Sequence, residues 1–188
     1  MPVTTLDKQT ALILIDLQKG IVGLPLLHPI DGILAKARLL ADAFRAKGLP
    51  VVLVNVDGSA PGRTERARPE QNWPEGWTDF VPEIDRRPSD IVVTKQTWGA
   101  FASTDLDARL KRLGVTQVVI LGIATGGGVE STARQAYEQG FHVTLAIDAM
   151  TDRRAEAHDY CLAHVFPRLG ETGTTQAIID LLDTRNAS

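Results

Sequence analysis

Short apolar runs alternate along this chain with stretches in which apolar residues recur every three or four positions. The run Ala11 to Ile15 is uninterrupted, as expected for a strand that is buried on both faces. Residues 30–47 show helical spacing instead, and Gly48 is suited to end that helix. These patterns predict strands at 11–15, 51–56, 90–94, 117–123, 142–147 and near 170–173, and helices at 30–47, 104–113, 128–139, 153–166 and 175–184. The alternation indicates βαβ units, and therefore a three-layer α/β/α sandwich around a mainly parallel sheet.

The ends of the predicted strands are the places to look for function, since ligands of such folds bind beyond the carboxyl ends of the strands. The residues at those ends are Asp16, the 57–60 turn, Lys95, the 124–128 turn and Asp148. A single charge at such a position has an ordinary structural explanation. Two opposite charges at the same sheet edge favour a buried Asp16–Lys95 pair, which holds both groups ionised or makes the aspartate a proton carrier.

A glycine-rich turn, residues 122–132, joins the fourth predicted strand to the next helix. Glycines there permit a sharp turn and leave backbone N–H groups at the helix N-terminus, where they bind anions or a developing oxyanion. A merely tight turn is the alternative. The spacing matches neither a G-x-G-x-x-G dinucleotide fingerprint nor a Walker A loop, so no cofactor is predicted.

Residues 57–89 interrupt the regular alternation. They hold five of the ten prolines and two of the three tryptophans, and they are too long for an ordinary connection. One interpretation is a lid or rim over the site, with Trp73, Trp77 and Phe80 on one side of a short helical turn. The other is a surface excursion packed on its own aromatic residues.

The composition is that of an ordinary globular protein. The chain has 188 residues, which suits one domain over 1–188. Its formal charge of −3 gives no reason to expect nucleic acid or an anionic membrane as a partner, and no apolar run reaches the ~18 residues that span a bilayer. The N-terminal residues lack a signal-peptide pattern, and the only cysteine, Cys161, cannot form an internal disulfide or a Cys-rich zinc site. We therefore expect a cytoplasmic protein that acts on a small molecule.

Several sequence motifs, in order, resemble the isochorismatase-like hydrolase superfamily, also called the cysteine hydrolases. They are LILIDLQKG (12–20), VVTKQTWGAF (92–101), LGIATGGGVESTARQAYEQGF (121–141) and AIDAMTD (146–152), and the tail HDYCLAHVFPRLGETGTT (158–175) resembles a bacterial subgroup of uncharacterised members. The resemblance implies a six-stranded, mainly parallel sheet with Rossmann-like topology. It also implies a homo-oligomer, dimer or tetramer, in which Trp98 or the 57–89 segment lies at a subunit contact.

The resemblance assigns roles to individual residues. Amidases of this superfamily use an Asp–Lys–Cys triad, and Asp16 and Lys95 match the Asp and the Lys. The position of the nucleophilic cysteine is occupied by Gly128. The resemblance further implies a cis peptide bond between Ile123 and Ala124, in a turn with Thr125, that directs the N–H groups of Ala124 and Gly128 at one oxyanion.

Glycine supplies no nucleophile, so a covalent thioester is excluded at that position. The isochorismatases resemble this arrangement, with Asp and Lys kept and Gly in place of Cys, and they hydrolyse a vinyl ether. By that logic Asp16, poised by Lys95, donates a proton and water adds to the activated carbon. Cys161, on a predicted helix far along the chain, is interpreted as a small core thiol rather than a replacement nucleophile.

The remaining candidates concern substrate recognition. Gln18 is placed to orient substrate or water, and the other predicted pocket residues are Trp73, Trp77, Trp98 and Phe101. Candidate partners for a carboxylate are Arg63, Arg66, Arg68, Arg153 and Arg154, which a solvated surface explains equally well. The four histidines are scattered, and no metal site is predicted. The alternative function is a catalytically silent member that binds a small molecule or serves as a structural or regulatory subunit. A flavodoxin-like or dinucleotide-binding protein is weakly supported.

Overall fold

One sheet of six parallel strands organises the protein. A computed structural model describes residues 2–65 and 72–184. The strands are β1 Thr10–Ile15, β2 Val51–Val56, β3 Ile91–Lys95, β4 Gln117–Ile123, β5 His142–Thr151 and β6 Glu171–Gly173. They lie in the order β3-β2-β1-β4-β5-β6, and each neighbouring pair is parallel. The predicted α/β fold with a six-stranded sheet is confirmed.

Helices cover both faces of the sheet. They are α1 Lys19–Val22, α2 Ile30–Ala46, α3 Leu106–Arg112, α4 Glu130–Glu138, α5 Ala155–Tyr160, α6 Phe166–Leu169 and α7 Thr175–Thr184. Shorter helical turns are a 3₁₀ turn Pro82–Ile84 and two π-helical turns, Thr125–Val129 and Cys161–Val165. Alternate side chains of the strands face the two helical layers, as the period-two geometry of a strand requires. On β1, Ile13 faces the core cluster that contains residues of α3 and α4, whereas Leu12 faces the cluster that contains residues of α2 and α7.

The short helix α1 was not predicted, and two of the predicted elements differ markedly from those in the structure. Strand β5 continues to Thr151 because its pairing with β4 is irregular: the partner of Ile120 is Leu145, but the partner of Gly122 is Met150. The predicted helix at 153–166 is divided into α5, a π-helical turn and α6. The backbone stays helical at both junctions, Cys161 and Phe166, so the predicted helix is continuous in direction, and Pro167, which has no N–H to donate to the preceding turn, accounts for the local change in hydrogen bonding.

The strand order brings the predicted functional segments together. The chain adds β2 and β3 on one side of β1 and then returns to place β4 on the other side. Ligands of open parallel sheets bind at the point where the order reverses, beyond the carboxyl ends of the strands. Asp16 follows β1 and the glycine-rich turn follows β4, so both lie at this point.

Candidate active site

Asp16 and Lys95 form a buried ion pair at the carboxyl edge of the sheet. Lys95, the last residue of β3, reaches past β2 to place its Nζ 2.8 Å from Asp16 Oδ2. The two side chains are only 2% (Lys95) and 9% (Asp16) exposed. Asp16 has a φ of 54°, a left-handed conformation that aspartate adopts more readily than most residues. Its backbone N–H donates to the carbonyl of Val54 over 2.8 Å, which fixes the path of the chain as it leaves β1.

The surroundings of Asp16 favour its protonated form. Burial raises the pKa of the Asp16 carboxyl to about 6, because the charged form loses its hydration, and the ammonium of Lys95 offsets only part of this effect. Oδ2 accepts the bond from Lys95, while Oδ1 is buried and has no hydrogen-bond partner among the described residues. A carboxyl of this kind can carry a proton near neutral pH and donate it to a molecule bound beside it.

The glycine-rich turn faces this ion pair. The Ile123–Ala124 peptide bond is cis, and the turn continues as the π-helical segment Thr125–Val129. A Cβ added at Gly128 would lie 3.1 Å from Asp16 Oδ2 and 2.9 Å from Ile15 Cγ2. Position 128 is therefore a point from which a side chain would meet the carboxylate directly. With glycine there, the backbone itself adjoins Asp16.

Three buried side chains hold this turn from behind. The Thr125 hydroxyl lies 2.8 Å from Nδ1 of His158, and the N–H of Gly126 donates to Asp152 Oδ2 over 2.7 Å. The hydroxyl of Thr132 donates to the carbonyl of Gly128 over 2.6 Å. That hydroxyl also accepts the backbone N–H of Ala100 over 3.1 Å, so the loop after β3 is tied to the turn as well. None of these supporting contacts was predicted from the sequence.

Residues 72–80 of the long segment after β2 form a wall that packs against the residues following Asp16. Trp73 and Trp77 stack on each other, with ring centroids 4.0 Å apart and an interplanar angle of 13°. Residues 74–79 form hydrogen-bonded turns rather than the predicted helical turn. Phe80 does not join the stack but packs against the core cluster that contains residues of α2 and α7. Packing of the aromatic residues on one another, which the interpretation as a surface excursion expects, is therefore present for Trp73 and Trp77.

Backbone hydrogen bonds attach this wall to the residues that follow Asp16. The N–H of Gly20 donates to the carbonyl of Trp77 over 3.0 Å, and the N–H of Lys19 donates to the carbonyl of Asp79 over 2.8 Å. The Lys19 ammonium also lies 3.0 Å from the Asp79 carboxylate. These contacts hold the wall against the chain segment that follows Asp16.

Comparison with known protein families matches residues 10–177 to the isochorismatase domain. The chain belongs to the isochorismatase family. An uncharacterized isochorismatase family protein of Bacillus subtilis, YwoC, is 40% identical over 183 residues, which cover 92% of this chain and 94% of the relative. The structure of an isochorismatase family protein from Burkholderia thailandensis superimposes with a TM-score of 0.91 at 40% identity, over 95% of this chain and 98% of that one. The ureidoacrylate amidohydrolase RutB of Agrobacterium fabrum is 29% identical, over 79% of this chain and 78% of its own.

Gln18 supports the backbone of this isochorismatase-family protein instead of facing a ligand. Its Nε2 donates to the carbonyls of Val56 and Trp77 over 3.0 and 3.3 Å. Its Oε1 accepts the N–H of Val56 over 2.7 Å. The side chain is fully buried and joins the end of β2 to the tryptophan wall. The expectation that Gln18 orients substrate or water is corrected accordingly.

For three other sequence candidates, the structure shows packing, exposure or hydrogen bonds that do not involve the Asp16–Lys95 pair. Phe101 is a core residue, and its ring centroid lies 5.9 Å from that of Phe141. Phe141 directly precedes β5 and so lies at the amino ends of the strands, opposite the carboxyl ends where Asp16 and Lys95 lie. Trp98 is 71% exposed. Asp148 accepts hydrogen bonds from both the N–H and the hydroxyl of Thr175 and so fixes the start of α7. A polar or aromatic residue in a matching motif is thus not by itself evidence of a pocket position.

Cys161 is a buried thiol of the core. Its Sγ donates to Glu130 Oε2 over 3.2 Å. Burial raises the pKa of the thiol to about 12, and the hydrogen bond and the charge of Glu130 act in the same direction. A thiol that is neutral at physiological pH is a poor nucleophile, which agrees with the structural role expected for it.

The residues that the structure describes provide no candidate metal centre, and the sequence-predicted arginines among them are exposed. The described part of the chain contains no group of three or more His, Cys, Asp or Glu side chains that could hold a metal ion. The rings of His28 and His158, which no sequence pattern connects, lie 4.9 Å apart. Among the candidate arginines, Arg63, Arg153 and Arg154 are exposed, and Arg66 and Arg68 lie outside the described residues. Within residues 2–65 and 72–184, no helix is long and apolar enough to cross a membrane.

Proposed function

We propose that this protein hydrolyses a small metabolite by acid–base chemistry at Asp16, without a covalent thioester. The observation that carries the proposal is the buried Asp16–Lys95 pair, whose carboxylate would lie 3.1 Å from a Cβ at position 128. In the proposal, Gly128 stands where cysteine hydrolases carry their nucleophile. The catalytic elements left are the carboxyl, the ammonium and the backbone of the turn.

Asp16 acts as the general acid. With a vinyl ether, its carboxyl protonates the β-carbon, so the carbon that bears the ether oxygen becomes electron-deficient, and water adds to that carbon and returns a proton to the Asp16 carboxylate. The C–O bond to the ether oxygen then breaks, which releases an alcohol and a carbonyl compound. No atom of the enzyme becomes covalently attached, so no thiol is required. Two observations support this role: the pKa of Asp16 is raised to about 6, and Oδ1 has no partner within the described protein.

Lys95 keeps the carboxyl in place and limits how far its pKa rises. Without the ammonium, a carboxyl this deeply buried would stay protonated to a higher pH. It would then hold its proton too tightly to donate it in each turnover. With an amide or ureido substrate, the N–H groups of Ala124 and Gly128 are proposed to stabilise the negative charge that develops on the carbonyl oxygen as water adds. The three buried contacts behind the turn support this role, because they restrict its position.

The substrate class is a small carbonyl- or carboxylate-bearing molecule. RutB is by name an amidohydrolase that acts on a ureido acid, so amides and ureido acids are the first compounds to test. Vinyl ethers follow from the chemistry, because protonation of their β-carbon activates the neighbouring carbon toward water. The stacked Trp73 and Trp77, which are held against the residues that follow Asp16, are proposed to give the pocket an apolar side.

The second candidate is a silent member of the family that binds a small molecule or acts as a structural or regulatory subunit. The glycine at position 128 favours it, since the family chemistry that needs a thiol cannot occur there. Against it stands the cost of burying the Asp16–Lys95 pair, which a site without catalysis has little physical reason to keep.

A substrate panel separates the two candidates. The purified protein is incubated with amides, ureido acids, lactams, vinyl ethers and esters, and product is followed by mass spectrometry. For a hydrolase, Asp16→Asn should lower turnover by roughly 100-fold or more, the usual contribution of a general acid. Asp85→Asn is the matched control, because Asp85 also has a positive φ of 46° but pairs with exposed arginines. A compound that raises the melting temperature yet yields no product supports the binding protein instead.

A further inference from the structure

His158 lies behind the glycine-rich turn and is the one buried histidine of the four, all of which the structure describes. It projects from α5 and is 6% exposed. Its Nδ1 is 2.8 Å from the hydroxyl of Thr125, which is fully buried. A buried hydroxyl needs a hydrogen-bond partner, so this contact fixes the side chain of Thr125 at the point where the turn begins.

The ring of His158 is itself held in place. The ring of His28 packs against it with centroids 4.9 Å apart and an interplanar angle of 59°. Thr151 Oγ1 accepts the backbone N–H of His28 over 3.2 Å and contacts its Nδ1 at 3.0 Å. The N–H of Leu27 donates to the carbonyl of Asp152 over 2.7 Å and closes this segment onto the end of β5. Three parts of the fold, namely α5, the segment of Leu27 and His28, and the end of β5, therefore support one hydrogen bond to the turn.

We propose that His158 is a positioning residue, which acts through the Thr125 hydroxyl to hold the turn that carries the N–H groups of Ala124 and Gly128 in place beside Asp16. Backbone donors that stabilise developing charge must be fixed within a fraction of an ångström before the reaction. The resemblance implies that amidases of the superfamily carry a cysteine in this turn. Here the turn has only glycines between Thr125 and Val129. Glycine restricts the backbone least of all residues, so the restraint has to come from contacts such as this one.

This inference rests on the proposed function, because it assumes that the turn faces the reacting atoms. A reporter that needs no known substrate tests it. In Gly128→Cys, the introduced thiol lies beside Asp16, and its alkylation by iodoacetamide is followed against pH by mass spectrometry of the peptide that contains position 128. The native thiol at Cys161 is separated in the same digest.

The reporter is then combined with changes at His158 and Thr125. We expect His158→Leu and Thr125→Val each to lower the alkylation rate at pH 7 at least tenfold and to raise the pKa of the reporter thiol. His158→Asn places an amide atom near the position of Nδ1 and should restore most of the rate. His164→Leu, on the same helical stretch but exposed, is the matched control and should leave it unchanged. Because His158 and Thr125 act through one bond, the double variant should lose no more than either single variant.

Hydrogen exchange of the backbone N–H groups of residues 124–129 gives a second, independent measurement in the native chain without the reporter. Faster exchange in His158→Leu, confined to the turn and absent in His158→Asn, supports the positioning role. The positioning role is overturned if His158→Leu and His158→Asn both keep the alkylation rate and the hydrogen exchange found with His158 present. A reporter thiol that reacts no faster than in denatured protein would instead count against the proposed site, and the exchange measurement would still decide the role of His158.

Discussion

The indole of Trp77 lies on Gly20 so closely that a Cβ at position 20 would overlap with its Nε1, Cδ1 and Cε2 atoms. Gly20 is four residues beyond Asp16, and its N–H donates to the carbonyl of Trp77. The glycine is therefore required by the close approach of the tryptophan wall. This contact couples the position of the wall to the segment that carries the proposed general acid.

Gly20→Ala should displace Trp77 from this surface. The added methyl group overlaps with a ring that is also stacked on Trp73, so we expect a loss of about 1–3 kcal/mol in the free energy of unfolding. The exciton signal of the stacked indoles in circular dichroism should weaken at the same time. Gly23→Ala is the control, because a Cβ at Gly23 would lie 3.5 Å from the carbonyl of Lys19, an ordinary contact. Equal behaviour of the two variants would show that Trp77 does not depend on this glycine.

The proposed acid makes the reaction pH-dependent in a stated direction. Asp16 must be protonated to donate, and its pKa is raised to about 6, so kcat/KM should be highest below that pH and fall by about tenfold per unit above it. The measurement is a pH profile of kcat/KM with any substrate found in the panel. A rate that rises with pH through this range would indicate that the carboxylate form of Asp16 is the active one.

Lys95→Met tests the other half of the ion pair. Since the ammonium lowers the pKa of Asp16, its removal should raise that pKa above 6 and move the falling limb of the profile to higher pH. Methionine keeps most of the length of the buried side chain, so the fold should persist. Lys47→Met removes an ammonium that lies 2.9 Å from Asp183 on the surface, and it should leave the profile where it is. An unmoved limb in both variants would contradict the assignment of the limb to Asp16.

The sequence predicts the parts of this molecule that follow from repeating patterns. The strand periodicity locates β2 and β4 to the residue, and the rule that parallel strands converge at their carboxyl ends correctly places Asp16 beside Lys95. The same rule misplaces Asp148. The irregular pairing of β5 lets that strand run on to Thr151, and the carboxylate of Asp148 is used to start α7.

Contacts between distant segments do not follow from the sequence pattern. Thr125 and His158 are 33 positions apart, and only the packing of α5 against the turn brings them together. Gln18 shows the related limit: a polar residue after a strand has the same pattern whether it faces a ligand or, as here, the backbone of Val56 and Trp77. Side-chain direction at a loop depends on tertiary contacts that local periodicity does not encode.

Cys161 is the only cysteine of the chain, and its thiol takes no part in the proposed reaction. Cys161 is buried, donates to Glu130 and has its pKa raised to about 12, so at neutral pH it carries no thiolate. Cys161→Ser keeps a donor for Glu130, and we expect kcat/KM to stay within about twofold of the native value, because the thiol takes no part in the proposed reaction. The serine is more polar than the thiol in this apolar surrounding, so a lower melting temperature is expected. The variant is assayed well below that temperature, beside Asp16→Asn. Complete loss of activity in folded Cys161→Ser would reverse the assignment and make this protein a thiol enzyme after all.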